Sequence, residues 1–89
     1  MKSVTTIRFR EAFAQLPTPV QLAAKAAYKK WKENHTHPGL NFKLVNSSTP
    51  IYSVRISLNY RALGILEEDT LIWFWIGSHA DYDKLLKTL

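Results

Sequence analysis

Tyr52-Ser53-Val54-Arg55-Ile56-Ser57-Leu58-Asn59-Tyr60-Arg61-Ala62-Leu63 decides the fold. Apolar and polar residues alternate on either side of a short polar interruption. That is the pattern of two strands, Ile51 to Ser57 and Tyr60 to Leu66, joined as a hairpin. If Ser57-Leu58-Asn59 is a three-residue loop with Asn59 left-handed, Ile56 pairs with Tyr60 and Arg55 with Arg61. Tyr52, Val54, Ile56, Tyr60 and Ala62 then line the covered face, and both arginines lie on the other. A two-residue loop would put the arginines on opposite faces. Like charges directly opposite on a sheet repel, so a bound anion is one reason to keep them there. Ion pairs to Glu67, Glu68 or Asp69 are the alternative.

Outward from the hairpin, Glu67-Glu68-Asp69 turns into a last strand, Thr70 to Gly77. A three-residue turn there places Trp73 and Trp75 on the arginine face, and guanidinium beside indole suits stacked bases and phosphates. Upstream, Leu40, Phe42 and Leu44 alternate with Asn41 and Lys43, giving a first strand with Lys43 on its polar side. Asn46 to Pro50 is a loop.

Before the sheet come two helices. Phe9, Phe13 and Leu16 fall at offsets 0, 4 and 7 of a first helix, Thr6 to Leu16, which Pro17 stops. Thr18 as N-cap, Pro19 at the first helical position and Gln21 three after the cap start a second helix with a capping box. Val20, Ala24, Ala27 and Trp31 form its apolar stripe, and Pro38-Gly39 breaks the chain beyond it. Ala80 to Leu89 has Tyr82, Leu85, Leu86 and Leu89 at helical spacing. The fold class is therefore α+β: an N-terminal helical hairpin packed on a small antiparallel sheet, with a short C-terminal helix, in one domain spanning residues 1–89.

The 89 residues carry 12 Lys and Arg against 7 Asp and Glu, a net charge of +5, with a pI near 9.7. That balance favours a polyanionic partner, whether nucleic acid or an acidic protein. Without cysteine there is neither a disulfide framework nor a thiolate metal site, which permits a reducing cytoplasm. The longest apolar run, Leu71 to Ile76, is six residues and too short to cross a bilayer. No signal-peptide run follows Met1, so the expected location is cytoplasmic, with no membrane association.

Arg55 and Arg61 are the best candidates for phosphate contacts, because a guanidinium fork matches phosphate oxygens. Lys43 can join them or simply guard a sheet edge. His79 follows Gly77-Ser78 at a strand-to-helix junction, and imidazole is the side chain suited to act as general acid or base near neutral pH. Tyr82, three residues on, shares that site if the segment is helical. The bland alternative has His79 capping the helix and Tyr82 packing in the core. His35 and His37 have no accompanying carboxylates or cysteines, so no metal is expected.

The ordered set of these features resembles the RelE/ParE family of toxins from bacterial type II toxin–antitoxin systems. It comprises the hairpin around Phe9, Phe13, Leu16 and Pro17, the entry His37-Pro38-Gly39-Leu40-Asn41-Phe42-Lys43, the Tyr52-x-Val54-Arg55 to Tyr60-Arg61 hairpin, and the closing Gly77-Ser78-His79-x-x-Tyr82. The resemblance implies a metal-independent endoribonuclease that cuts translated mRNA at the ribosome, needs no cofactor and leaves 2′,3′-cyclic phosphate ends. By it, Lys43 and Arg55 bind the RNA backbone, Arg61 stabilises charge on the phosphate, and His79 is the general acid or base. Tyr82 positions or assists, and a flipped base stacks on an aromatic of that face such as Trp75. A cognate antitoxin is implied as partner, with a monomer when free of it. Ribonuclease members often carry a basic residue just after the histidine. Here Ala80 and Asp81 follow, and an acidic Asp81 near the site would repel RNA unless it orients His79. The rival readings are a ParE-like inhibitor of DNA gyrase and a non-catalytic basic binding module.

Overall fold

A computed structural model describes residues 1–89. In chain order it contains β1 (Lys2–Thr5), α1 (Ile7–Ala14), α2 (Thr18–Glu33), a 3-10 turn (Pro38–Leu40), β2 (Lys43–Asn46), β3 (Ile51–Ser57), β4 (Tyr60–Glu67), β5 (Thr70–Ser78) and α3 (His79–Leu86). The strands form one sheet in the order β1-β5-β4-β3-β2. β2 to β5 make the expected antiparallel meander. β1 adds an edge strand parallel to β5. Nothing in Lys2-Ser3-Val4-Thr5 announces that strand, because an exposed edge needs no apolar face.

α1 and α2 cover one face of the sheet. Ala24, Ala27 and Trp31 of α2 are buried there against Val54, Ala62, Leu71, Trp73 and Ile76, and the small alanines let helix and sheet approach closely. Trp31 meets Trp73 edge-on at 5.4 Å. α1 begins with Thr6 as N-cap, its Oγ1 accepting from the Phe9 N–H. The capping box expected for α2 does not form: Pro17 is the N-cap and no side chain caps it. Gln21 instead donates from Nε2 to the carbonyls of Phe13, Ala14 and Leu16. These carbonyls lie at the end of α1 and just past it, where the helix ladder runs out, so Gln21 ties one helix to the next.

Three local expectations are corrected. The first strand starts at Lys43, not Leu40. Pro38 to Leu40 form a 3-10 turn, and Asn41 follows in the left-handed region at φ 46, which asparagine tolerates. The β3–β4 turn is two residues, Leu58-Asn59, with Ser57 facing Tyr60 and a bulge at Ile56. Arg55 still opposes Arg61, because the bulge supplies the residue expected of a longer loop. The only non-glycine residues with positive φ are Asn41 and Glu68, so Asn59 is not left-handed.

A second bulge lies in β5. Leu63 faces Trp75 and Gly64 faces Trp73, leaving Phe74 as the extra residue. The two tryptophans therefore point to opposite faces. Trp73 is in the helix-side core, not on the arginine face, whereas Trp75 is on that face beside Leu63. Gly64 makes room for this packing, since a Cβ there would lie 2.9 Å from Leu71 and 3.0 Å from Trp73.

Candidate functional site

Two rows of residues cross the sheet on the face away from α1 and α2. Lys43 of β2 opposes Ser53 of β3, which opposes Leu63 and then Trp75. In the next row Arg55 opposes Arg61, which opposes Gly77. α3 packs against β4 and β5 at the side of these rows. Its Tyr82 is buried among Ile51 and Leu63, and its hydroxyl donates to the buried Ser53 Oγ at 3.1 Å. A pocket of about 320 Å³ results, lined by Lys43, Arg55, Arg61, His79, Tyr82 and Asp83 together with Asn41, Ser53 and Leu86. Five of the six residues singled out from sequence thus meet in one place.

Each is held differently. Arg61 Nη1 donates to the carbonyls of Ser57 at 2.6 Å and Tyr60 at 2.9 Å, with a longer contact to Leu58. The guanidinium closes the hairpin turn while its other nitrogens remain free of protein partners. Burial first, then the charge of Arg55, push its pKa below the ordinary arginine value; Tyr82 and Asp83 act in the opposite direction. Arg55 is exposed. The only basic side chain within ion-pairing distance of a carboxylate is His79, beside Asp83, so neither arginine pairs with Glu67, Glu68 or Asp69. Lys43, Arg55 and Arg61 therefore converge without a carboxylate neutralising them directly, an arrangement that favours an anion.

His79 is the first residue of α3. Its backbone N–H donates to the Asn59 carbonyl at 2.7 Å, so the hairpin turn that Arg61 closes also fixes the histidine. Capping falls to Ser78, whose Oγ accepts from the Asp81 N–H, and His79 is left free of that task. Its ring lies edge-on to Tyr82 at 5.8 Å, and Nδ1 is 3.1 Å from Asp83 Oδ2.

The carboxylate at the histidine is Asp83, and Asp81 does not orient it. An i, i+4 step brings side chains together one helical turn apart, and an i, i+2 step does not. That His-x-x-x-Asp spacing was readable in the sequence. Ser53 and Asn41 were not readable from the sequence: a serine within a strand and an asparagine before one carry no signal of their own. Trp75 shares the arginine face without lining the pocket. Its indole lies across Gly77, where a Cβ would stand 2.7 Å from it, and its ring centroid is 6.5 Å from that of Tyr82. His35 and His37 are elsewhere, one packed between Trp31 and Phe42, the other accepting from the Gly39 N–H. No cluster of three or more His, Cys, Asp or Glu suited to a metal ion occurs. No helix is long and apolar enough to cross a membrane.

Comparison with known proteins adds a family and a fold. The family model of the ParE-like toxin domain matches residues 18–84. Among solved structures, the chain is similar to one from the RelB–RelE antitoxin–toxin complex of Methanococcus jannaschii, at 14% identity and a TM-score of 0.73, covering 92% of this chain and 96% of that one. A copper-bound mutant toxin from Helicobacter pylori is similar at 15% identity and a TM-score of 0.61, covering 91% and 97%. A conserved hypothetical protein from Helicobacter pylori follows at 11% identity and a TM-score of 0.53, covering 92% and 98%. No curated protein sequence matches.

Proposed function

This chain belongs to the ParE-like toxin domain family, and from that premise we propose that it is a metal-independent mRNA endoribonuclease of a toxin–antitoxin system, acting on translated mRNA at the ribosome. The observation that carries the reading is the convergence of Lys43, Arg55, Arg61 and His79, from three strands and a helix, on one pocket. Lys43 and Arg55 bind the backbone phosphates. Arg61 faces the scissile phosphate, where its charge favours the transition state over the ground state. His79 takes the ribose 2′-hydroxyl proton as O2′ attacks the adjacent phosphorus. The O2′–P bond forms, the P–O5′ bond breaks, and the departing 5′-oxygen takes a proton from solvent, leaving a 2′,3′-cyclic phosphate. Tyr82 is a positioning residue, its hydroxyl bound to Ser53 and its ring against His79. Trp75, on the same face of the sheet though outside the pocket lining, offers a face for a displaced base.

The partner is an antitoxin, as in the similar RelB–RelE complex, covering the basic pocket with an acidic or amphipathic segment. The ParE-like match favours one second reading, inhibition of DNA gyrase by protein contact. Inducing the chain in bacteria beside an Arg61→Ala/His79→Ala variant, while following growth and mapping mRNA 5′ ends, separates the two. Arrest with ribosome-dependent cuts that the variant loses supports the nuclease. Arrest without cuts, equal in both strains, transfers the function to gyrase.

A further inference from the structure

We infer that Asp83 is a positioning residue that fixes the tautomer of His79, so that Nε2 is the atom offered to the pocket; its catalytic meaning rests on the nuclease reading above. The geometry is local and complete. A carboxylate can only accept, so the 3.1 Å contact between His79 Nδ1 and Asp83 Oδ2 places the ring proton of neutral His79 on Nδ1. Nε2 then keeps its lone pair. On protonation both nitrogens donate, and Asp83 still holds Nδ1 while Nε2 carries the exchangeable proton. The ring is also held edge-on by Tyr82, and its backbone by Asn59. One nitrogen and one orientation remain.

The Asp83 side chain makes no other hydrogen bond or ion pair, and its one further effect is at a distance, favouring the charge of Arg61. That side chain is 57% exposed, and an exposed pair within a helix adds little to folding. In an anion site it is also a cost. The charged and titratable groups around His79 are Lys43 from β2, Arg55 from β3, Arg61 from β4 and Tyr82 from α3. Asp83 is the single carboxylate among the pocket's lining, and it opposes any phosphate bound by the cations. A carboxylate at that place is accounted for by the imidazole it holds.

The test is long-range nitrogen–proton correlation of the His79 ring in the wild type, Asp83→Ala and Asp83→Glu, with cleavage of an RNA oligonucleotide or translated mRNA measured on the same samples. The expected result is an Nδ1–H tautomer in the wild type, a shift toward Nε2–H in Asp83→Ala, and recovery in Asp83→Glu. Cleavage should fall on the order of tenfold in kcat in Asp83→Ala, with KM little changed, because the lost feature is orientation and not phosphate binding. Asp81→Ala, whose side chain lies outside the pocket, should leave spectrum and rate alone. An unchanged tautomer in Asp83→Ala overturns the inference whatever the cleavage shows. A wild type that does not cleave, but whose tautomer follows Asp83, sinks the nuclease reading and leaves the pairing in place.

Discussion

Each face of the sheet holds a concavity, and the two differ in kind. Between α1, α2 and the sheet lies a groove of about 600 Å³, floored by Trp31, Val54, Ala62 and Trp73. On the opposite face lies the polar pocket of about 320 Å³. The groove is larger and almost wholly apolar, and it leaves the indole N–H groups of Trp31 and Trp73 buried without acceptors. The pocket is smaller, yet it holds the cations, the histidine and the carboxylate beside it. Size therefore follows from how the helices straddle the sheet, whereas chemistry follows from which strand positions face away from them. A single sheet separates the two tasks: the helix side carries the larger buried core, and the polar side adds charge to a smaller one around Leu63 and Tyr82.

The sharpest way to break that division is Trp31→Ala. Trp31 is 2% exposed and packs against Tyr28, His35, Phe42 and Trp73. Truncating a buried tryptophan costs about 3–5 kcal/mol, out of roughly 4–13 kcal/mol for a chain of this length. Urea denaturation should show a midpoint near collapse. A loss under about 1 kcal/mol would mean that the helix layer is not what holds the sheet.

Arginine substitutions on the other face come next. Arg61→Ala should weaken RNA binding by roughly tenfold or more, about 1.5–3 kcal/mol for a charge-assisted contact. It should also lower stability by about 1 kcal/mol, because three turn carbonyls lose their donor. Arg55→Ala should weaken binding too, reducing the salt slope by about 0.7, with stability unchanged or slightly raised as the like-charge pair is relieved. Salt titrations and melts on both variants check the contrast. Equal stability losses would deny Arg61 its role at the turn.

That contrast also shows what the sequence could convey. The opposed arginines were legible because period-two alternation survives a misjudged loop: a bulge at Ile56 restored the register that a longer turn was expected to give. The same device misled in β5, where the bulge at Phe74 sends Trp73 to the core. A bulge is decided by packing across the sheet, and no single strand's pattern contains it. His79 and Tyr82 were legible from a junction and a spacing. Asp83 was missed because Asp81 stood closer in sequence, although helical geometry favours the residue one turn away. Ser53 could not be read at all, since its role depends on Tyr82 arriving from 29 residues later.

Tyr82→Phe sharpens the comparison at smaller scale. It keeps the ring against His79 and removes the donor to Ser53, which is 2% exposed. A buried hydroxyl losing its partner costs about 1 kcal/mol, so the melting temperature should drop by roughly 4–8 °C for a domain of this size. Cleavage by the folded fraction should fall little. A loss of cleavage by more than about a hundredfold, with stability intact, would make the Tyr82 hydroxyl itself a participant in the chemistry.

The smallest effect should come from Leu22→Ser. Leu22 is 62% exposed on α2, away from the pocket and outside the buried stripe of Ala24, Ala27 and Trp31. A surface change of this kind alters stability by less than about 0.5 kcal/mol. Sites without shared partners add independently, so RNA affinity and its salt slope should match the wild type within error. The measurement is informative because the helix side is where exposed apolar residues accumulate, Val4, Ile7 and Tyr28 among them. If RNA binding fell with Leu22→Ser, the nucleic acid would be touching the helix face. The division of labour between the two sides of the sheet would then fail at its simplest point, with every residue of the polar pocket still in place.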